Sequence, residues 1–338
     1  MPTRTTLHHL ATLMPRDLPV LYCPFPAAIH PDALAIQAST QAWADKFGLL
    51  DDLETRISFN QRGYGTLMAR AYPNALAERM PTIADWSTSL FLLDDQLDRF
   101  GRDHDASAMA TLLQRLMKVL KGSPAKRHDL PIVQAMGDVT NRLVQGSPEA
   151  WQHFFFDSLR KSFAAVQWEA NNRAQGYIPT QKTYAMQRLY TSGTYLCLAL
   201  IEFGNNEFLH PQVRLHPMVR RLCEYVNRVV FYSNDIISLR KELLAGDWQN
   251  LVYLIHAQHQ LPIGEALNYV ARLHNDTINQ FTRERIMLDK LAPEICSPTL
   301  YRFVDGLATW MRANHDWSTM TSRYQTSTEG LHGSQYCA

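Results

Sequence analysis

The chain has 338 residues, 46% of them hydrophobic, and its 33 basic residues stand against 32 acidic ones for a net charge of +1. That is enough apolar material for one large core, and the charge balance excludes broad attraction to nucleic acid or to an anionic membrane; local basic clusters remain free to bind a small anion. The five cysteines (Cys23, Cys197, Cys223, Cys296 and Cys337) have no CxxC spacing, which argues against a disulfide framework or a zinc site and for a reducing cytosol.

Nearly every long segment carries apolar residues at helical spacing, and none alternates as a strand does. The N-terminal MPTRTTLHHLATLMP lacks the apolar run of a secretory signal, so residues 1–20 read as a flexible segment ahead of the folded domain. Pro31 and Asp32 open a helix to about Phe47, and breaks fall at Tyr72-Pro73 and Gly122-Ser123-Pro124. Ser147 and Pro148 read as an N-cap and first-turn pair, and Thr180 caps a helix from Gln181 to Glu202. Pro217 opens a long helix toward Leu244, closed by Ala245-Gly246-Asp247, and Ser297-Pro298 precedes the last. The sum is roughly ten or eleven helices on short loops, an all-α single domain over residues 21–326. The polar tail 327–338 reads as mobile. No run of about 18 apolar residues occurs, so no stable membrane insertion is expected, and the expected location is cytoplasmic.

Two polar clusters interrupt the apolar pattern. In IADWSTSLFLLDDQLDRF, Asp94, Asp95 and Asp98 continue the apolar run Leu90 to Leu93. On a helix Asp94 and Asp98 lie one turn apart on one face, where two carboxylates repel unless a cation or water separates them. Oxygen-only ligands of this kind suit Mg²⁺; an exposed acidic helix end is the plainer reading of the cluster taken alone. In VNRVVFYSNDIISLRKELLAGD, Asn234, Ser238 and Glu242 recur every fourth residue and stack along one face for about 12 Å. Asn and Ser are poor mid-helix residues unless their side chains have a task, and with Glu they again make a hard-cation set. A solvated polar stripe is the competing reading.

The combination resembles bacterial class I terpene synthases. Asp94-Asp95-Gln96-Leu97-Asp98 is similar to their DDxxD motif, and Asn234 through Glu242 to their NDxxSxxxE motif, with Lys241 before the Glu. Arg188 lies 46 residues ahead of Asn234 (234 − 188), where that family keeps a diphosphate-sensing arginine, and Arg323-Tyr324 resembles its C-terminal RY pair. ARAYPNA and YCPFPAAIHPD add to the likeness, which extends over about residues 20 to 325. The resemblance implies a helical bundle around a central apolar cavity and an isoprenyl diphosphate substrate, C15 first and C20 second. It implies Mg²⁺ as cofactor, roughly three ions. It assigns metal binding to the Asp94, Asp95 and Asp98 cluster and to Asn234, Ser238 and Glu242, and diphosphate binding to Arg188, Lys241, Arg323 and Tyr324. Thr191, Ser192 and Gly193 in RLYTSGTYL resemble the helix break that carries the ionisation trigger. It leaves homodimerisation open.

Ionisation of such a diphosphate needs charge stabilisation on the leaving group and a dry apolar wall, with aromatic faces, around the carbocation. Phe91, one turn before Asp95, Trp86, Phe231 and Trp310 are candidates for that wall, with ordinary core packing as the alternative for each. Two other functions fit parts of the pattern. A chain-elongating isoprenyl diphosphate synthase shares the fold but resembles a pair of aspartate-rich motifs, and the second is replaced here by Asn234 and Ser238. A non-catalytic helical lipid-binding protein needs the cavity but not Arg188, Asn234, Glu242 and Arg323 together.

Overall fold

The computed structural model describes residues 2–15, 17–102 and 106–324, apart from the side chains at 98, 101, 102 and 106. Among the described residues there are fifteen α-helices and no strand. The first half holds α1 (Arg4–Thr12), α2 (Ala33–Lys46), α3 (Leu53–Arg62), α4 (Tyr64–Ala71), α5 (Met80–Arg102), α6 (Ala106–Leu120) and α7 (Pro131–Gln145). The second holds α8 (Glu149–Gln175), α9 (Gln181–Thr191), α10 (Thr194–Asn205), α11 (Pro211–Leu215) and α12 (Pro217–Ala245). The last three are α13 (Leu251–His259), α14 (Ile263–Ile286) and α15 (Pro298–Met320).

The punctuation read from the sequence largely sets these bounds. Thr180 accepts a hydrogen bond from the Thr183 N–H and starts α9, Ser297 does the same for α15, and Gly246 ends α12 in the left-handed region at φ 87°. Ser147 differs from expectation. Pro148 is itself the residue ahead of α8, while the Ser147 hydroxyl donates back to the Leu143 carbonyl at 2.6 Å and finishes α7. The segment Gln181 to Glu202 is two helices, because Gly193 turns left-handed at φ 69° between α9 and α10. The total exceeds ten or eleven because α1, α3, α4, α11 and α13 have only 5 to 10 residues, too short for a periodic window.

Residues 1–20, expected as a flexible lead, contain α1. Its Leu7 and Leu10 are buried with Met14, and α1 packs along α12, where the His8 ring meets the Leu244 carbonyl at 2.8 Å. Leu7, Leu10 and Met14 recur at three- and four-residue intervals, a stripe short enough to escape notice. Residues 327–338 lie outside the described residues.

Helix α12 is central, with α14, α15, α13, α10 and α9 around it. α5 packs on α2, α4 and α7, and α8 on α6, α9 and α10. The inner faces of α4, α5, α8, α10, α12 and α15 do not close completely and leave a cavity of about 780 Å³. No described helix is long and apolar enough to cross a membrane.

Candidate functional site

Both polar clusters open into that cavity, and each ends an apolar stripe. On α5 the lining residues Ser87, Leu90, Phe91 and Asp94 follow the three-and-four spacing of one helical face, from fully buried Ser87 to exposed Asp94. On α12 the same progression runs from Val230 and Phe231 to Asn234, Ser238, Lys241 and Glu242. The floor is therefore apolar and the rim polar. Leu67, Met68, Leu196, Trp310 and Trp317 complete the floor.

At the rim, Arg323 Nη2 donates to Asp94 Oδ2 at 2.8 Å and its Nη1 to Asp95 Oδ1 at 3.0 Å. The next residue, Tyr324, accepts from Asn234 Nδ2 at 2.9 Å. The Arg323-Tyr324 pair thus ties the α5 cluster to the α12 cluster. Burial works to raise the Asp95 carboxyl, but Arg323, Arg62 and Lys241 outweigh it and hold the group below the usual carboxylate range. The Asp98 side chain lies outside the described residues.

On α12, the Ser238 hydroxyl donates to the Asn234 carbonyl at 2.7 Å, which leaves its lone pairs toward the cavity. Burial, and then the neighbouring Asp235 and Asp247, push the Glu242 carboxyl up to about 7, while Asn250 and Arg188 oppose them. A buried carboxylate beside two others is a group that a cation would stabilise. The donors are carboxylate, amide and hydroxyl oxygens, which suit a hard divalent cation and not a thiophilic one. Among the described residues no three His, Cys, Asp or Glu side chains are grouped to hold a metal ion by themselves.

Arg188 reaches the same wall from α9. Its Nη2 donates to Asn234 Oδ1 at 2.7 Å, and Nε and Nη2 donate to Asp235 Oδ1 at 3.0 and 2.9 Å. Burial alone would lower this guanidinium's affinity for its proton; Asp235, together with Tyr184, Glu169 and Glu242, outweighs it, so Arg188 stays charged. Thr191, Ser192 and Gly193 all line the cavity. The Thr191 hydroxyl donates to Glu169 Oε1 at 3.1 Å and Ser192 Oγ to Asn227 Oδ1 at 2.9 Å. Asn227 Nδ2 in turn holds the Leu189 carbonyl at 2.7 Å, so the break between α9 and α10 is pinned from α8 and α12.

Of the aromatic candidates, Phe91, Phe231 and Trp310 line the cavity and Trp86 does not. Trp86 is 0% exposed and packs on Phe155 with centroids 5.1 Å apart, as part of the core. Phe91 stacks on Tyr64 at 4.4 Å and lies 5.2 Å from the Arg323 guanidinium.

Several residues at this site carry no local sequence signal. Arg62 and Tyr64 reach Asp95 and Arg323 from the junction of α3 and α4. Trp317 lines the floor and donates to the Arg62 carbonyl at 2.7 Å. Glu169 was visible in principle, as a lone acid continuing the Phe163 and Val166 stripe of α8. Asp235 and its partner Tyr184 were equally accessible, since Asp235 sits inside the quoted motif.

A family model described as terpene synthase family 2, C-terminal metal binding, matches residues 85–280, a span that includes both clusters. A (+)-T-muurolol synthase from Roseiflexus castenholzii is 36% identical over 304 residues, covering 90% of this chain and 93% of that protein. A 10-epi-cubebol synthase from Sorangium cellulosum is 32% identical over 309 residues, covering 90% and 97%. The crystal structure of a linalool/nerolidol synthase from Streptomyces clavuligerus matches in fold with a TM-score of 0.81 at 23% identity, over 88% of this chain and 100% of that one. With a metal-binding family model that matches more than half of the chain and a relative 36% identical over 90% of it, this chain belongs to the class I terpene synthase family.

Proposed function

We propose that this protein ionises farnesyl diphosphate, with geranylgeranyl diphosphate the second choice, and closes the resulting carbocation into a terpene hydrocarbon or alcohol with release of diphosphate. One observation carries the reading: Arg323 and Tyr324 join the two oxygen-rich clusters at the rim of a single cavity whose floor is apolar. The C15 choice is supported by the Roseiflexus relative, whose name specifies cyclisation of (2E,6E)-farnesyl diphosphate.

Asp94, Asp95 and Asp98 on one side and Asn234, Ser238 and Glu242 on the other would hold Mg²⁺, roughly three ions, which when bound neutralise the leaving diphosphate as Lewis acids. Arg188, Lys241, Arg323 and Tyr324 bind the diphosphate oxygens from the protein side. The arginines supply planar, permanent positive charge, and their contacts strengthen as the C–O bond breaks, so they lower the barrier rather than merely tighten binding. Thr191 to Gly193 bring a polar turn against the reacting end, beside Arg188. Phe91, Phe231 and Trp310 then face a cation that has left its counter-ion at the rim, and the apolar floor keeps bulk water from it. The cascade ends when a proton passes from carbon to diphosphate, or when water adds to carbon and diphosphate takes its proton.

The test is incubation with geranyl, farnesyl and geranylgeranyl diphosphates, with and without Mg²⁺, reading terpene products by gas chromatography–mass spectrometry and diphosphate release in parallel. A Mg²⁺-dependent product from farnesyl diphosphate is expected. Asn234→Ala and Glu242→Ala are each expected to lose at least about 100-fold in turnover while keeping the helical circular dichroism spectrum. Product formation in excess EDTA, or full turnover by both variants, would overturn the reading.

A further inference from the structure

Asp235 belongs to the α12 motif yet, unlike Asn234, Ser238 and Glu242, does not line the cavity. It follows Asn234 by one residue and precedes Glu242 by seven, so its side chain leaves the helix about 100° from Asn234 and about 20° from Glu242. It is 1% exposed, and both carboxylate oxygens are used inside the protein. Oδ1 accepts Nε and Nη2 of Arg188 at 3.0 and 2.9 Å, and Oδ2 accepts the Tyr184 hydroxyl at 2.8 Å and the Leu251 N–H at 2.9 Å. Three helices meet on this one carboxylate. Tyr184 and Arg188 lie one turn apart on α9, and Leu251 is the first residue of α13, where the unpaired N–H groups and the helix dipole favour an anion.

A buried guanidinium without a counter-charge costs several kcal/mol, and a long arginine left to rotate would lose its freedom anew at each binding event. Asp235 meets both demands from below the cavity wall. It neutralises Arg188 at rest and fixes its Nε edge, while Arg188 lines the cavity with Nη2 on Asn234 Oδ1 at 2.7 Å and Nη1 3.5 Å from Thr191 Oγ1. We propose that Asp235 and Tyr184 are positioning residues that set the orientation of Arg188 toward the diphosphate of the substrate, an inference that rests on Arg188 contacting that diphosphate as proposed above. Tyr184 acts at one remove, by holding Asp235 Oδ2 so that Oδ1 stays under Arg188. The buried Arg214–Glu202 pair supplies a comparison within the same molecule: it has the same chemistry, but neither residue lines the cavity.

The test uses the full chain. Turnover of farnesyl diphosphate in Mg²⁺ by the unaltered protein examines the functional reading on its own. Calorimetric titration with inorganic diphosphate in Mg²⁺ then compares the unaltered protein, Tyr184→Phe, Arg188→Ala and the double variant. Tyr184→Phe is expected to weaken diphosphate binding about tenfold, the size of one hydrogen bond to a charged group. In the Arg188→Ala background the same change is expected to add nothing, because its only route to the ligand is gone. Asp235→Asn is expected to lose about 100-fold; should it fail to fold, Tyr184→Phe carries the test. Glu202→Gln is expected to lower the melting temperature without altering diphosphate affinity. Unchanged affinity in Tyr184→Phe, or equal losses in both backgrounds, overturns the inference. Absence of turnover by the unaltered protein alongside coupled binding losses instead removes the functional reading and leaves the positioning role standing.

Discussion

At Asp95 two opposing effects meet: burial disfavours the carboxylate, while Arg323, Arg62 and Lys241 favour it and prevail. At His274 burial prevails. The ring is 2% exposed, and burial, with His315 nearby, lowers its pKa from 6.5 to about 4 against a weaker opposing bond to Asn275. The unfolded chain therefore takes up this proton below pH 6.5 while the folded chain resists it until about 4, so the stability contribution is complete above 6.5 and lost as pH falls across that window. The loss is on the order of 3 kcal/mol. Urea unfolding at pH 7 and pH 4.5 is expected to show a smaller acid loss in His274→Phe than in the unaltered protein; equal losses would remove His274 as the cause. Comparison at matched pH also cancels other titrating groups, such as Asp85, whose carboxyl burial raises to about 6. At this scale the sequence speaks only where partners are close along the chain. Asn234, Ser238 and Glu242 are legible because four-residue spacing is a helical address. The bond between Tyr64 and Arg323 joins residues 259 apart, and no local pattern encodes it.

Elements were legible when long and sharply capped, as α12 and α15 are. They were illegible where a junction depends on a tertiary contact. Gly193 breaks what reads as one helix, and the break persists because Asn227 and Glu169, from other helices, take up the polar groups it frees. The crossing of α10 and α15 has a similar hidden requirement. A Cβ on Gly306 would sit 2.6 Å from Ile201 Cγ2, a distance at which the Ile201 side chain or one of the two helices must shift. Gly306→Ala is expected to cost about 1–3 kcal/mol in denaturant unfolding, as overpacking does. Adding Ile201→Ala should recover part of that loss, although on its own it opens a cavity and destabilises. Additive losses in the double variant would mean that the close approach is not the cause.

Across the whole molecule, fold class and the two clusters were legible from spacing, whereas the cavity that unites them was implied only by the family resemblance, since it exists only where six helices fail to close. Two of its arginines are already matched by carboxylates: Arg323 by Asp94 and Asp95, and Arg188 by Asp235. A diphosphate arriving alone meets the carboxylates, and Mg²⁺ arriving alone meets the arginines. Together each offsets the other's charge, so their binding should be strongly coupled. In thermal unfolding, Mg²⁺ with inorganic diphosphate is expected to raise the melting temperature by more than the two separate shifts combined; simple additivity would argue against a shared site. Pro2 and Arg4 line the same cavity as Arg323 and Tyr324, and Arg4 Cγ lies 3.9 Å from where a Cβ on Gly246 would stand. Any peptide fused ahead of Pro2, an affinity tag for instance, therefore emerges beside this cavity. Turnover and product ratios taken from such a fusion describe the tag as well as the enzyme until it has been cleaved.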